Sequence, residues 1–166
     1  MQKHIRRLLY VKVLSHKWHW RYMELAKNVA LWSKDPSSQI GSVAVGAKGQ
    51  ILSQGYNGFP RGIEDTDERL RNRPTKYQYV VHAEMNVIYN ATYNGISLDR
   101  SVLYVWGLPI CSDCAKGIIQ VGIREVYWCC EKDIPDNWNE SMALTASMFK
   151  EVGIKFERLS HESSNG

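Results

Sequence analysis

No stretch of this 166-residue chain approaches the ~20 consecutive apolar residues of a membrane-spanning helix. Internal repeats and low-complexity tracts are missing too, which excludes solenoid and fibrous architectures. Cysteine is scarce, at four residues (Cys111, Cys114, Cys129 and Cys130), and the first residues hold no long apolar core and no small-residue cleavage site. A disulfide framework is therefore not expected, and a close thiol pair points to metal or redox chemistry. Acids are absent before Glu24, so MQKHIRRLLYVKVLSH reads as a basic N-terminal extension over residues 1–16. Over the whole chain the imbalance is mild, a net +4 from 21 basic and 17 acidic residues. That suits an anionic small substrate, and no basic stripe of the kind that grips nucleic acid is evident. With 44% hydrophobic and 23% charged residues the chain is not a disordered one.

What is present reads as one domain over residues 17–160, followed by a polar tail at 161–166. Trp18, Tyr22, Leu25, Val29 and Trp32 recur at helical steps, and Pro36 in KDPSS stops that helix. Ile40 to Val45 and Ile51 to Gln54 read as a hairpin. Residues 58–78 are polar and charged and read as a long functional loop. A helix follows His82 and ends at Asn94-Gly95. Then come a strand at 101–106, a helix from CSDC to near Gly122, a strand at 123–130, a helix at 136–152 and a strand at 154–159. Helical crossovers make the later strands parallel. The expected fold class is α/β, a three-layer α/β/α domain on a mixed five-stranded sheet.

Two short runs carry chemistry. VVHAEMN at 80–86 places His82 and Glu84 where the chain turns into a helix. On that pair alone, a solvated cap and a first-turn acid explain the residues equally well. LPICSDCAKG at 108–117 adds Cys111 and Cys114 at C-x₂-C spacing, which lets two thiolates reach one Zn²⁺. Both runs sit at helix N-termini, where free N–H groups favour thiolate. Three protein ligands would leave a fourth position for water, whose proton is then lost near neutral pH.

H-x-E followed by C-x-x-C is the signature of zinc-dependent nucleobase deaminases. SKDPSSQIGSVAV, GYNGFPRG, VHAEMNVI and CSDCAKGIIQVGIREVYW together resemble the deoxycytidylate (dCMP) deaminase family over roughly residues 18–160. The resemblance implies a cytidine-deaminase-like domain that binds one Zn²⁺ through His82, Cys111 and Cys114, with Glu84 as proton shuttle. It implies attack on C4 of cytosine while Glu84 protonates N3 and then the leaving amine. It assigns Asn57 to the sugar, the Ala83 backbone N–H to the pyrimidine carbonyl, and Asn86 to a supporting position. Trp106 would shape the pocket and Arg61 would hold a 5′-phosphate, with Arg71, Arg73 and Lys76 as further candidates. A cytoplasmic homo-oligomer, dimer or hexamer, is implied, and Mg²⁺ would accompany a nucleotide effector. The chain departs from the family pattern at Ile110, where Pro is usual before the first Cys, at Trp106-Gly107, and at Asn90 and Tyr93.

Other readings stand beside this one. Cys111 and Cys114 alone fit a thioredoxin-like redox pair, although that motif follows a first strand rather than a late one. Deamination of a base in RNA, of the tRNA adenosine type, shares the same motif, and a silent zinc-binding module is a further alternative. Cys129 and Cys130 adjoin in a strand and read as one core and one surface thiol. His4, His16, His19 and His161 read as solvated.

Overall fold

In the computed structural model, residues 15–160 are described. The basic extension up to residue 14 and the tail at 161–166 lie outside them. Six helices and five strands run in the order α1 (His16–Ala30), β1 (Gly41–Val45), β2 (Ile51–Tyr56), α2 (Asp67–Arg71), α3 (Arg73–Tyr79), α4 (Ala83–Tyr93), β3 (Val102–Trp106), α5 (Ser112–Gln120), β4 (Glu125–Cys129), α6 (Asn139–Val152) and β5 (Lys155–Arg158). The strands form one sheet in the order β2-β1-β3-β4-β5. β1 is antiparallel to β2 and β3, and β3, β4 and β5 are parallel, as the helical crossovers require. The mixed five-stranded α/β/α fold is the one expected. None of the described helices is long and apolar enough to cross a membrane.

Each sheet face has its own core. On one face α1 packs Tyr22, Met23, Ala26, Val29 and Ala30 against Val43, Val45, Tyr104 and Tyr127. On the other, α4, α5 and α6 enclose Val87, Ile118, Phe149, Leu103 and Val126. The buried face of α1 matches the expected stripe only in part: Tyr22 and Val29 are buried, but Trp18, Leu25 and Trp32 are exposed. The small Ala26 and Ala30 face the sheet instead. A side chain at Gly41 would bring a Cβ 2.1 Å from the Ala26 carbonyl, so α1 sits too close for an aromatic seam there. His19 is half-buried, with Nδ1 2.8 Å from the Tyr104 hydroxyl, and is not the solvated residue expected. Cys129 and Cys130 do point to opposite faces, but both are buried, so the expected surface thiol is a core one.

Residues 58–78 contain two short helices where a loop was expected. Thr66 accepts from the Arg69 N–H to start α2, and Asn72 accepts from the Thr75 N–H to start α3, with Pro74 in its first turn. Both starting signals are legible in TDER and NRP.

Candidate metal centre and its cavity

β2 positions the centre by letting α4 lie against it. A Cβ on Gly55 would come within 2.5 Å of the Val87 nitrogen and 2.7 Å of the Ala83 carbonyl, so only glycine admits the helix at this distance. Ser53 Oγ donates to the Val87 carbonyl at 2.8 Å, and Asn86 Nδ2 donates to the Tyr56 carbonyl at 2.7 Å. Asn86 thus ties α4 to β2. It does not line the cavity around His82.

His82 is the extended residue before α4, and Cys111 the extended residue before α5. Their helix N-termini converge at one end of the sheet. His82 Nδ1 lies 3.4 Å from both Cys111 Sγ and Cys114 Sγ. All three donor atoms fall within 4.8 Å of one another, and among the described residues no other such group forms. A tetrahedral zinc with Zn–N near 2.1 Å and Zn–S near 2.3 Å separates N from S by about 3.6 Å. The imidazole and thiol donors therefore fit Zn²⁺ in both chemistry and spacing.

The local electrostatics favour a thiolate at Cys111. A hydrogen bond from the Cys114 thiol, with a second from His82, draws the Cys111 thiol down to about 4. The bond to Cys111 lifts His82 to about 9. Cys114 goes the other way, because its thiol donates to Cys111 and is buried. The Cys111 thiolate is thus flanked by two proton donors, and a cation must displace those protons to bind all three atoms. Glu84, in the first turn of α4, is 4% exposed, and burial pushes its carboxyl up to about 7. A carboxyl poised near neutrality can both take and give a proton.

A cavity opens onto His82, Ala83 and Glu84. Leu108 and Pro109 from the β3–α5 loop and Pro135 and Trp138 from the β4–α6 loop also line it. Its polar side carries Asp35, Ser37, Ser38, Arg73 and Lys76. The Ala83 N–H belongs to the first turn of α4, where backbone donors have no intrahelical partner. Asn57 lines the cavity with both ends of its amide engaged. Oδ1 accepts from the Ile40 N–H and Nδ2 donates to the Ser38 carbonyl, each at 2.8 Å. Arg61 and Trp106 lie elsewhere. Arg61 donates to Asn90 Oδ1 in a separate cleft with Tyr56 and Asn86. Trp106 faces α1, with the Lys27 ammonium 4.3 Å above its ring.

The sequence reading passed over Asp35. Its Oδ1 accepts from the Ser37 and Ser38 N–H groups and from Lys76 Nζ at 3.0 Å, and both side chains of that ion pair are more than nine-tenths buried. Asp-Pro-Ser-Ser is a turn signal that could have exposed it. Burial alone would raise the Asp35 carboxyl, but the bonds from Ser37, Lys76 and Ser38 outweigh it and hold it below the usual carboxylate range. A depressed pKa contributes stability that is present above the unfolded value, near 4, and is lost as pH falls through the folded value. Asp35→Asn should cost about 3 kcal/mol at neutral pH, because Lys76 is left buried without its carboxylate. The loss should shrink toward pH 3 in urea titrations. An equal loss at both pH values would contradict this assignment.

Comparison with known proteins gives concordant matches. Residues 16–130 match the family profile described as the cytidine and deoxycytidylate deaminase zinc-binding region. The mouse deoxycytidylate deaminase is 37% identical over 155 residues, covering 89% of this chain and 83% of the relative. An uncharacterized deaminase in the luxG 3′ region of Aliivibrio fischeri is 38% identical over 144 residues, covering 84% and 91%. The crystal structure of the cyanophage S-TIM5 dCMP deaminase in complex with dCMP and dUMP superimposes with a TM-score of 0.69 at 25% identity, covering 88% of this chain and 99% of that one.

Proposed function

The chain belongs to the family of zinc-binding cytidine and deoxycytidylate deaminases, and on that footing we propose that it hydrolyses the amino group of a cytosine nucleotide, converting dCMP to dUMP and ammonia. The single observation that carries the reading is the convergence of His82, Cys111 and Cys114, with His82 and the buried Glu84 facing one cavity. In this reading those three residues hold one Zn²⁺ per chain. When bound, the ion supplies a water acidified to near pH 7.

The remaining work falls to the chain itself. Glu84 takes a proton from the water that adds to C4 and passes it to N3, then takes the remaining proton of the new C4 hydroxyl and gives it to the departing amine as the C4=O bond forms. Water thus supplies the oxygen of the product uracil, and the C4–N bond breaks to release ammonia. The free Ala83 N–H donates to the pyrimidine carbonyl. Asn57 holds the Ser38–Ile40 turn through its amide and presents that turn to the sugar. Low exposure of Glu84 keeps bulk water from short-circuiting the proton transfers.

Arg73 and Lys76 make the polar end of the cavity cationic, since only Asp35 offsets them there. We assign the 5′-phosphate to that end, with Arg73 as the freer cation, because Lys76 already bonds Asp35 and Ser37. Arg61 is reserved for the separate cleft, where a nucleotide effector with Mg²⁺ would find a cationic side chain and two amides. Exposed Trp32, Tyr56, Tyr89 and Tyr93 suit burial between copies in a cytoplasmic homo-oligomer.

The reading is tested by comparing ammonia release from dCMP and deoxycytidine. Arg73→Glu should lower kcat/KM for dCMP by about 10-fold or more and leave deoxycytidine nearly unchanged. Equal effects on both compounds would remove Arg73 from the phosphate.

A further inference from the structure

The six tryptophans differ in how they are satisfied. Trp18 lies against Arg21 and Tyr22, Trp20 against His16, and Trp32 against Tyr56. Trp106 lies under Lys27, and Trp128 lies against Phe156 and Arg158. Trp138 is different. It is half-buried and lines the cavity, yet among the described residues no ring or cation stacks on it. Its backbone N–H closes a turn onto the Pro135 carbonyl at 3.0 Å, while its indole meets no protein acceptor among those residues.

The segment that carries Trp138 is fixed at both ends to the loop bearing Cys111. On the upstream side the Cys130 thiol shares its one proton between the Gly107 carbonyl at 3.1 Å and the Lys132 carbonyl at 3.2 Å. On the downstream side Ser141 Oγ accepts the Ser112 N–H at 2.9 Å, and the Thr145 hydroxyl donates to the Ile110 carbonyl at 3.0 Å. Trp138, three residues before Ser141, is thereby held in register with the metal-ligand loop. A large, rigid aromatic face set on a cavity wall, with no ring or cation of the described residues stacked on it, is complementary to a flat, polarisable ring.

We infer that Trp138 is a substrate-contacting residue whose indole covers the bound pyrimidine nucleotide. The inference rests on the nucleotide-deaminase reading and adds to it a contact from the β4–α6 loop. Because the contact is made equally to bound substrate and to the reacting complex, it acts on KM rather than on kcat.

Steady-state kinetics on dCMP, with dUMP titrations followed by tryptophan fluorescence, test it. Trp138→Ala should raise KM about 5- to 150-fold, the range of losses when an aromatic stacked on a base is truncated, with kcat kept within about threefold. Trp138→Phe, which keeps an aromatic face, should recover most of that loss. Both variants should retain wild-type zinc content and unfolding temperature. The fluorescence change that dUMP causes in the wild-type protein should largely disappear in Trp138→Phe. An unchanged KM in Trp138→Ala, or an undiminished fluorescence change in Trp138→Phe, would overturn the inference while leaving the deaminase reading intact. A wild-type protein that releases no ammonia from dCMP would take both down together.

Discussion

Glu84→Gln should abolish measurable ammonia release from dCMP, a loss of about 10³-fold or more, while zinc stays bound at the wild-type ratio. Glutamine keeps the volume and one carbonyl oxygen of the carboxylate but cannot carry a proton between water, N3 and the leaving amine. General acid–base groups contribute 10²- to 10⁴-fold, and here one carboxyl serves several transfers in a single turnover. Glu84 is well placed for this. Its burial excludes competing water, and desolvation holds its carboxyl at about 7, where both protonation states are accessible. The measurement is an ammonia assay beside a metal analysis of the same preparation. Wild-type turnover in Glu84→Gln would move the proton shuttle to another residue. Loss of zinc together with activity would make Glu84 a support of the metal site.

Cys114→Ser should remove the zinc and the activity together. Changes that only reorient metal ligands already weaken binding 10- to 100-fold, so loss of a ligand should exceed that. Cys114 is buried in the first turn of α5, and serine there keeps a donor to Cys111 but replaces the soft thiolate that a zinc ion would take. His82→Ala should behave in the same way, and this parallel separates the readings. A redox dithiol would survive loss of the histidine, whereas a three-ligand metal site would not. Metal content by atomic spectroscopy decides it. Cys114→Ser and His82→Ala proteins that hold zinc at wild-type stoichiometry would contradict the ligand assignment.

The parts of this account that the sequence made legible share a physical cause. HAEMN and CSDC stood out because residues able to hold a metal recur at short spacings at helix starts, and the fold brings His82, Cys111 and Cys114 within 4.8 Å of one another. The parallel half of the sheet followed from alternating helical and apolar segments, and the structure pairs β3, β4 and β5 in that manner. What periodicity missed were features decided by contacts across the fold. Only Tyr22 and Val29 of the α1 stripe reach the core, because close backbone approach at Gly41 leaves room there for the small Ala26 and Ala30. Asp35 and Lys76 are 41 residues apart, and nothing local says that they meet. Arg61 looked as suitable for a phosphate as Arg73, since sequence gives charge without direction; only the fold turns Arg73 toward the cavity and Arg61 toward Asn90. Trp138 was similarly invisible, being one tryptophan among six until its neighbours were known.

The central claim is that three converging ligands and one buried carboxyl make this chain a zinc-dependent deaminase of a cytosine nucleotide. The most direct measurement follows purified protein on dCMP, with dUMP and ammonia quantified together, before and after a chelator removes the metal and again after Zn²⁺ is restored. Equimolar dUMP and ammonia, lost with the metal and recovered with zinc, is the expected result. Stoichiometric zinc with no ammonia from dCMP would contradict the claim.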